Sequence, residues 1–228
     1  MYKIDKYQYL MDNLLSSGLN FSTEWNKDDT KEVLFLRHDI DFSPEHALVI
    51  AKKEIELGIK STYFFMFTSN MYNILSKKNQ KTIMQIKKMG HKISFHFDPT
   101  AHKTLNQFLL EKDIMEKTFN IKVDIVSIHR PGLFLNDSNK KLFGISHTYE
   151  DKYFRNMKYL SDSGGRDVTP LIDAYLKNRD NHGLHLLIHP IWWCEEGESA
   201  TSTLNKWKNN HIDFIKTEIR LNCKTYLD

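Results

Sequence analysis

The chain has 228 residues, of which 40% are hydrophobic and 27% charged, a composition that suits one globular domain with a substantial core. Its 32 basic and 29 acidic side chains give a formal net charge of +3, and no block of Arg and Lys with interleaved aromatic residues occurs. This balance argues against nucleic acid as a partner. No apolar run approaches the roughly 18 residues that a membrane helix needs.

Two features of the sequence bear on its cellular compartment. The stretch MYKIDKYQYLMDNLL has neither the apolar core nor the small-residue cleavage site of a signal peptide. The only cysteines, Cys194 and Cys223, form at most one bridge, and such sparse use fits a reducing compartment. We therefore expect a soluble cytoplasmic protein, and without a linker or repeat we expect residues 1–228 to form a single domain.

The hydrophobic pattern predicts strands that alternate with helices. In chain order we expect a helix at 5–16, a strand at 33–39, a helix at 44–57, a strand at 61–67, a helix at about 74–89, a strand at 91–97, a helix at 104–119 and a strand at 123–129. Ser43 and Pro44 supply an N-cap and a first-turn proline for the second helix. Beyond residue 130 the pattern is weaker. It predicts helices near 137–142, 170–178 and 202–220 and strands near 143–148, 158–161 and 184–190.

Polar residues fall at the carboxyl ends of the apolar strands. They are Asp39, Asp41, His96, Asp98, His129, Arg130 and His189. Strands that alternate with helices imply parallel pairing, and in a β/α barrel the carboxyl ends meet on one face, where such folds place their chemistry. A flavodoxin-like open sheet would gather them at a crevice. We favour an irregular (β/α) barrel of about seven parallel strands, because the strand ends are too many and too regularly decorated for two short halves.

Asp39 and Asp41 lie two positions apart, so on an extended strand both side chains point the same way. Like charges this close raise each other's proton affinity unless a cation intervenes. A divalent metal ion would let one carboxylate bind it while the other stays ionised as a base. The structural alternative is that Asp41 merely caps the following helix.

Asp41, His96 and His129 would supply one carboxylate and two imidazoles, leaving open positions for water and substrate. This donor set suits zinc, and other first-row divalent ions too. The ion would polarise a carbonyl and lower the pKa of a bound water, from which Asp39 would take the proton. We expect Arg130 to hold Asp39 ionised through charge-assisted hydrogen bonds.

His189 ends the predicted strand LHLLIHP and is placed to donate a proton to a leaving amine as a general acid. We expect Asp162, in the loop sequence YLSDSGGRD, to hold His189, fix its tautomer and raise its pKa. Trp192 and Trp193 follow at once, and they either wall a pocket or pack in the core.

In this order the motifs resemble those of the polysaccharide deacetylase family, carbohydrate esterase family four, roughly from residue 33 to residue 193. The matching stretches are HDID, GHKISFH, HRPG, SDSGGRD and LLIHPIWW. The resemblance implies an irregular β/α barrel that removes acetyl groups from N-acetylated sugars with a metal-bound water. It implies Asp39 as base, Asp41 and His96 as metal ligands, Arg130 as the brace of the base and His189 as acid.

The second motif departs from the family pattern H-[ST]-x-x-H, because Thr100 stands four residues after His96. We assign the second imidazole to His129, which ends a neighbouring strand, with His102 and Asp98 as alternatives. The departure indicates a divergent branch, similar to those met in bacterial surface-sugar gene sets.

The sequence therefore predicts a metal-dependent hydrolase that removes an N-acetyl or N-formyl group from an amino sugar. We expect the sugar to be a nucleotide- or lipid-linked precursor in surface polysaccharide biosynthesis. Two alternatives stay open: hydrolysis of a non-sugar C–N bond, and a non-catalytic sugar-binding relative.

Overall fold

A computed structural model describes residues 3–27, 29–101, 104–132, 141–179 and 182–227. The strands in these ranges are β1 (Asn20–Phe21), β2 (Val33–Ile40), β3 (Thr62–Phe65), β4 (Lys92–Phe97), β5 (Ile125–Ile128), β6 (Ser146–His147), β7 (Lys158–Ser161) and β8 (Leu184–Ile188). The α-helices are α1 (Lys3–Ser16), α2 (Pro44–Glu56), α3 (Lys77–Lys88), α4 (Leu105–Phe119), α5 (Asp151–Phe154), α6 (Thr169–Lys177), α7 (Ile191–Cys194) and α8 (Ala200–Asn222).

Seven of these strands form one parallel sheet in the order β6-β5-β4-β3-β2-β8-β7, and β1 pairs with the start of β2. The sheet curls into a half-barrel flanked by helices, which confirms the predicted irregular (β/α) barrel. Strand β2 lies at the centre, hydrogen-bonded to β3 on one side and to β8 on the other. The carboxyl ends of β2, β4, β5 and β8 therefore lie at the same edge of the sheet, called here the carboxyl face.

The central strand β2 is buried along its whole length, and its residues alternate between two cores. Leu34 and Leu36 pack in the large core with α1 and α2. Phe35 belongs to a smaller core inside the curl of the sheet, where it stacks on Trp25. Because side chains alternate along a strand, Arg37 lies on the same inner face of β2 as Phe35, closer to the carboxyl end of the strand.

A buried carboxylate ties α2 to the sheet on the outer side. Glu54 accepts hydrogen bonds from the hydroxyl groups of Tyr7, Ser61 and Tyr63, and its Oε1 lies 2.8 Å from Nε2 of His38. Burial alone would raise the pKa of Glu54, but His38, followed by His91 and the hydroxyl of Ser61, holds it at about 2. The ionised carboxylate thus links α1, α2, β2 and β3.

The predicted helices and strands up to residue 129 are confirmed, with boundaries that shift by at most three residues. Ser43 caps α2 as expected, since its hydroxyl accepts a hydrogen bond from the amide of His46. Most of the helix predicted near 137–142 lies outside the described residues. Strand β1 and helices α5 and α7, each of four residues or fewer, were not predicted. None of the helices in the described ranges combines the length and apolarity needed to span a bilayer.

Candidate metal centre

Three side chains from different strands converge at the carboxyl face of the sheet. Asp41 directly follows β2, His96 lies on β4 and His129 directly follows β5. Oδ1 of Asp41 lies 3.2 Å from Nε2 of His96 and 3.6 Å from Nδ1 of His129, and the two ring nitrogens are 3.3 Å apart. The sequence-predicted ligand set is therefore brought together, with His129 as its second imidazole.

This triangle fits a divalent cation. Zinc held by nitrogen and oxygen at about 2.0–2.2 Å in a tetrahedron separates its ligand atoms by about 3.3–3.6 Å. Within the described ranges the buried Oδ1 of Asp41 has no hydrogen-bond partner, although two imidazole nitrogens face it. Burial alone would raise the pKa of Asp41, but the nearby His129 and His96 hold it well below its usual range. An ionised oxygen that faces two imidazole nitrogens offers a divalent ion a set of three ligand atoms.

His96 is oriented by its other ring nitrogen. Nδ1 lies 2.6 Å from the hydroxyl of Ser127 on the neighbouring strand β5, and both side chains are buried. Metal-binding histidines are commonly held by such a second contact, which fixes the tautomer and the ring plane. Here the contact directs Nε2 toward Asp41.

Asp39 is held by Arg37 through two parallel hydrogen bonds. Nε of Arg37 donates to Oδ1 at 2.9 Å, and Nη2 donates to Oδ2 at 2.6 Å. The guanidinium also donates to the hydroxyls of Thr148 and Tyr149. Burial alone would raise the pKa of Asp39, but Arg37, followed by His96, holds it well below its usual range. Asp39 is therefore an ionised carboxylate, 3.7 Å from Nδ1 of His96.

The prediction that Arg130 braces Asp39 is corrected by this geometry. Arg130 lies on the turn after β5 with a φ of 50°, and its side chain is exposed. Arg37 precedes Asp39 by two residues on the same strand, so the period of the strand places both on the inner face. The two-residue spacing that places Asp39 and Asp41 on one side of the strand also places Arg37 beside Asp39. The sequence prediction missed this pair because Arg37 lies within an apolar run.

His189 borders the candidate metal centre and is held by Asp162, as predicted. Nδ1 of His189 lies 2.7 Å from Oδ1 of Asp162, which directly follows β7. Asp162 also accepts hydrogen bonds from the backbone amide of His189 and from the indole of Trp193. Burial alone would lower the pKa of His189, but Asp162 raises it to about 9. The other ring nitrogen of His189, Nε2, lies 3.9 Å from Oδ2 of Asp41.

Of the alternative third ligands, Asp98 does not join this group. Oδ1 of Asp98 accepts hydrogen bonds from the amide and hydroxyl of Thr100 in the loop after β4. His102 lies outside the described residues. His91 has a structural role: its Nδ1 accepts a hydrogen bond from the amide of Ser61, away from the carboxyl face.

The structure also places the two cysteines and the two adjacent tryptophans. Cys194 and Cys223 are both free, so they form no bridge. Trp193 is buried and donates to Asp162, whereas Trp192 is half-buried and lines a surface cavity. Trp193 lines the same cavity, and both tryptophans pack against the large core, so each contributes to packing and to a pocket wall.

Comparison with known proteins gives matches among solved structures. No family model matches the sequence, and no curated protein matches it. A chitin deacetylase from Colletotrichum lindemuthianum matches with 15% identity and a TM-score of 0.46 over 78% of this chain and 82% of that chain. A peptidoglycan deacetylase from Bacillus subtilis matches with 18% identity and a TM-score of 0.45 over 79% and 84%. A CE4-family pseudoenzyme from Bacillus anthracis matches with 15% identity and a TM-score of 0.45 over 79% and 60%. At these identities the likeness concerns the fold alone.

Proposed function

We propose that the protein is a metal-dependent hydrolase that removes an N-acetyl or N-formyl group from an amino sugar. The observation that carries this proposal is the convergence of Asp41, His96 and His129, with the carboxylate of Asp39 3.7 Å from His96 and the imidazole of His189 3.9 Å from Asp41. Fixed acid and base groups beside a cation site are what hydrolysis of an amide needs.

The two flanking groups have opposite protonation states at neutral pH. A divalent ion held by Asp41, His96 and His129 would supply an electrophile for the amide carbonyl and lower the pKa of a water. Asp39, kept ionised by Arg37, accepts the proton of the attacking water.

His189 serves the other half of the reaction. Its ring is protonated because Asp162 raises its pKa to about 9, and Nε2 faces the centre. When the C–N bond breaks, the proton on Nε2 goes to the leaving nitrogen, which departs as an amine. Groups whose pKa values are pushed apart by their surroundings are the mark of an acid–base pair.

Finer features of the function follow from the donor set and from the motif resemblance. We propose zinc as the resident ion, since one carboxylate and two imidazoles with an open position suit it. We propose a nucleotide- or lipid-linked amino sugar of surface polysaccharide biosynthesis as the substrate, following the divergent second motif. The cytoplasmic location and the assignment of residues 1–228 to one catalytic domain stay predictions.

The test combines metal analysis with activity. The purified protein is expected to hold close to one divalent ion per chain and to release acetate or formate from acylated amino sugars. Asp39→Asn is expected to keep the ion and lose turnover, whereas His96→Ala loses both. Asp98→Asn is the matched control, because this carboxylate lies just after β4 but bonds to Thr100, and it is expected to keep both properties.

Each contrary result would point elsewhere. Equal turnover by the parent and Asp39→Asn would reject Asp39 as the base. A protein without a bound ion that still binds sugars would be the non-catalytic relative. Release of amines from small non-sugar amides, with acylated sugars untouched, would assign the site to another class of C–N hydrolase.

A further inference from the structure

The hydroxyl of Tyr72 lies between the ends of β2 and β3, next to the candidate metal centre. The paired part of these two strands ends at Ile40 and Phe65. In a regular parallel ladder the next rung would run from the amide of Met66 to the carbonyl of Ile40. Instead, Oη of Tyr72 accepts a hydrogen bond from the amide of Met66 at 2.9 Å and donates to the carbonyl of Ile40 at 2.7 Å. The hydroxyl therefore bridges the two strands where the backbone bond would be.

Tyr72 is held in place by its own loop. Its ring packs against the large core, and Ile74, two residues later, is buried in that core. The carbonyl of Asn73 accepts hydrogen bonds from the amide of Ser76 and from Nδ2 of Asn79 on α3, the latter at 2.8 Å. Burial raises the pKa of Tyr72 well above its usual range, so its hydroxyl stays a hydrogen-bond donor at neutral pH. The bridge thus starts from a fixed point of the fold.

The bridge acts on the peptide group that precedes Asp41. The carbonyl of Ile40 and the amide of Asp41 belong to one planar peptide, so a hydrogen bond to that carbonyl also orients the Cα of Asp41. The ladder between β2 and β8 ends two residues earlier, at His38. The bond from Tyr72 therefore extends the support of β2 up to the residue whose Oδ1 faces the two imidazoles of the candidate metal centre.

We propose that Tyr72 is a positioning residue for Asp41, and that its hydroxyl sets the separation of the metal ligands on either side of β3. Asp41 follows β2 and His96 lies on β4, so their distance depends on how far β2 stands from β3 at the carboxyl face. A hydroxyl inserted between an amide and a carbonyl holds these groups further apart than a direct hydrogen bond of about 2.9 Å would. Contacts that orient a metal ligand are worth about 10–100-fold in metal affinity. The inference rests on the proposed function, because it concerns the same metal centre.

The test measures the affinity of the full-length protein for Zn²⁺, by competition with a chelating dye, and the absorption spectrum of the Co²⁺-loaded protein. Tyr72→Phe removes the hydroxyl and keeps the ring, and we expect it to bind Zn²⁺ about tenfold more weakly than the parent. We also expect its Co²⁺ absorption bands to shift, because the arrangement of the ligands changes.

Tyr175→Phe is the matched control. Tyr175 is a buried residue of α6, and its hydroxyl also donates to a backbone carbonyl, that of His182, which precedes β8 at the opposite end of the sheet. This change is expected to leave the Zn²⁺ affinity and the Co²⁺ spectrum as they are in the parent. Urea denaturation checks that both variants are folded. Hydrogen exchange of the Met66 amide, which should be faster in Tyr72→Phe, checks that the bridge is broken.

The outcomes separate this inference from the proposed function. If Tyr72→Phe binds Zn²⁺ like the parent and keeps its Co²⁺ spectrum, the inference fails, whatever the activity. If both tyrosine variants lose affinity equally, the effect is a general loss of stability and the inference also fails. If Tyr72→Phe alone binds Zn²⁺ more weakly while the parent releases neither acetate nor formate, the positioning role stands and the proposed hydrolase fails.

Discussion

Replacing Arg37 by methionine tests the most buried charge pair of the site. The change removes the two hydrogen bonds to Asp39 and leaves that carboxylate, only 3% exposed, without its guanidinium partner. Breaking a buried pair by removing one partner costs about 3–5 kcal/mol, because the remaining charge stays desolvated. Against a total stability of about 5–15 kcal/mol, this is a large loss.

The loss is measured by urea denaturation at pH 7, next to two further variants. Lys117→Met breaks an ion pair of similar length, 2.7 Å to Asp113, but Lys117 is 76% exposed, so we expect a cost below about 1 kcal/mol. The double change Arg37→Met with Asp39→Asn removes both charges, and we expect it to regain at least about 1 kcal/mol relative to Arg37→Met.

The activity of the folded Arg37→Met protein gives a second readout. Without the guanidinium, burial raises the pKa of Asp39, so the acid limb of the rate profile is expected to move to higher pH. Equal stability losses for Arg37→Met and Lys117→Met, together with no recovery in the double variant, would refute the reasoning that Asp39 is ionised and held by Arg37.

Three more predictions concern the proposed proton donor His189, the buried carboxylate Glu54 and the bound ion. Asp162→Asn should lower the pKa of His189 from about 9 to 6.5 or below. At pH 8 the protonated fraction of His189 then falls from about 90% to about 3%, so the alkaline limb of the kcat/KM profile should move to lower pH. Glu54→Gln should cost about 3 kcal/mol at pH 7, with the exposed Glu56→Gln as control. Because the pKa of Glu54 is depressed, its contribution to stability is complete above pH 4.5 and is lost as the pH falls toward 2. Urea titrations at pH 4 should therefore show a stability difference between the parent and Glu54→Gln that is smaller by about 1 kcal/mol than at pH 7. A chelator should lower the Tm of the parent but not of His96→Ala.

The strand ends of the site were predictable because the hydrophobic pattern is strong between residues 33 and 129. Each buried run stops at a polar residue, and parallel strands bring such residues to one face. This gave Asp39, Asp41 and His96 directly, and it supported His129 over the other imidazoles. Strand β1 and helices α5 and α7 escaped prediction because no period can be read over so short a stretch.

Residues that act through tertiary contacts were harder to predict. Arg37 sits in an apolar run, and its two-residue spacing from Asp39 went unused because Arg130 in the motif HRPG was assigned as the brace of the base.

The arrangement of ligands over the sheet has a mechanical consequence. Asp41 comes from β2 and His96 from β4, and β3 separates these strands, so no ladder of backbone hydrogen bonds joins them directly. An ion shared by the two would act as a cross-brace over the end of β3. Its departure should then loosen β4 and β5 together, and their amide protons should exchange faster with deuterium while those of β7 keep their rates.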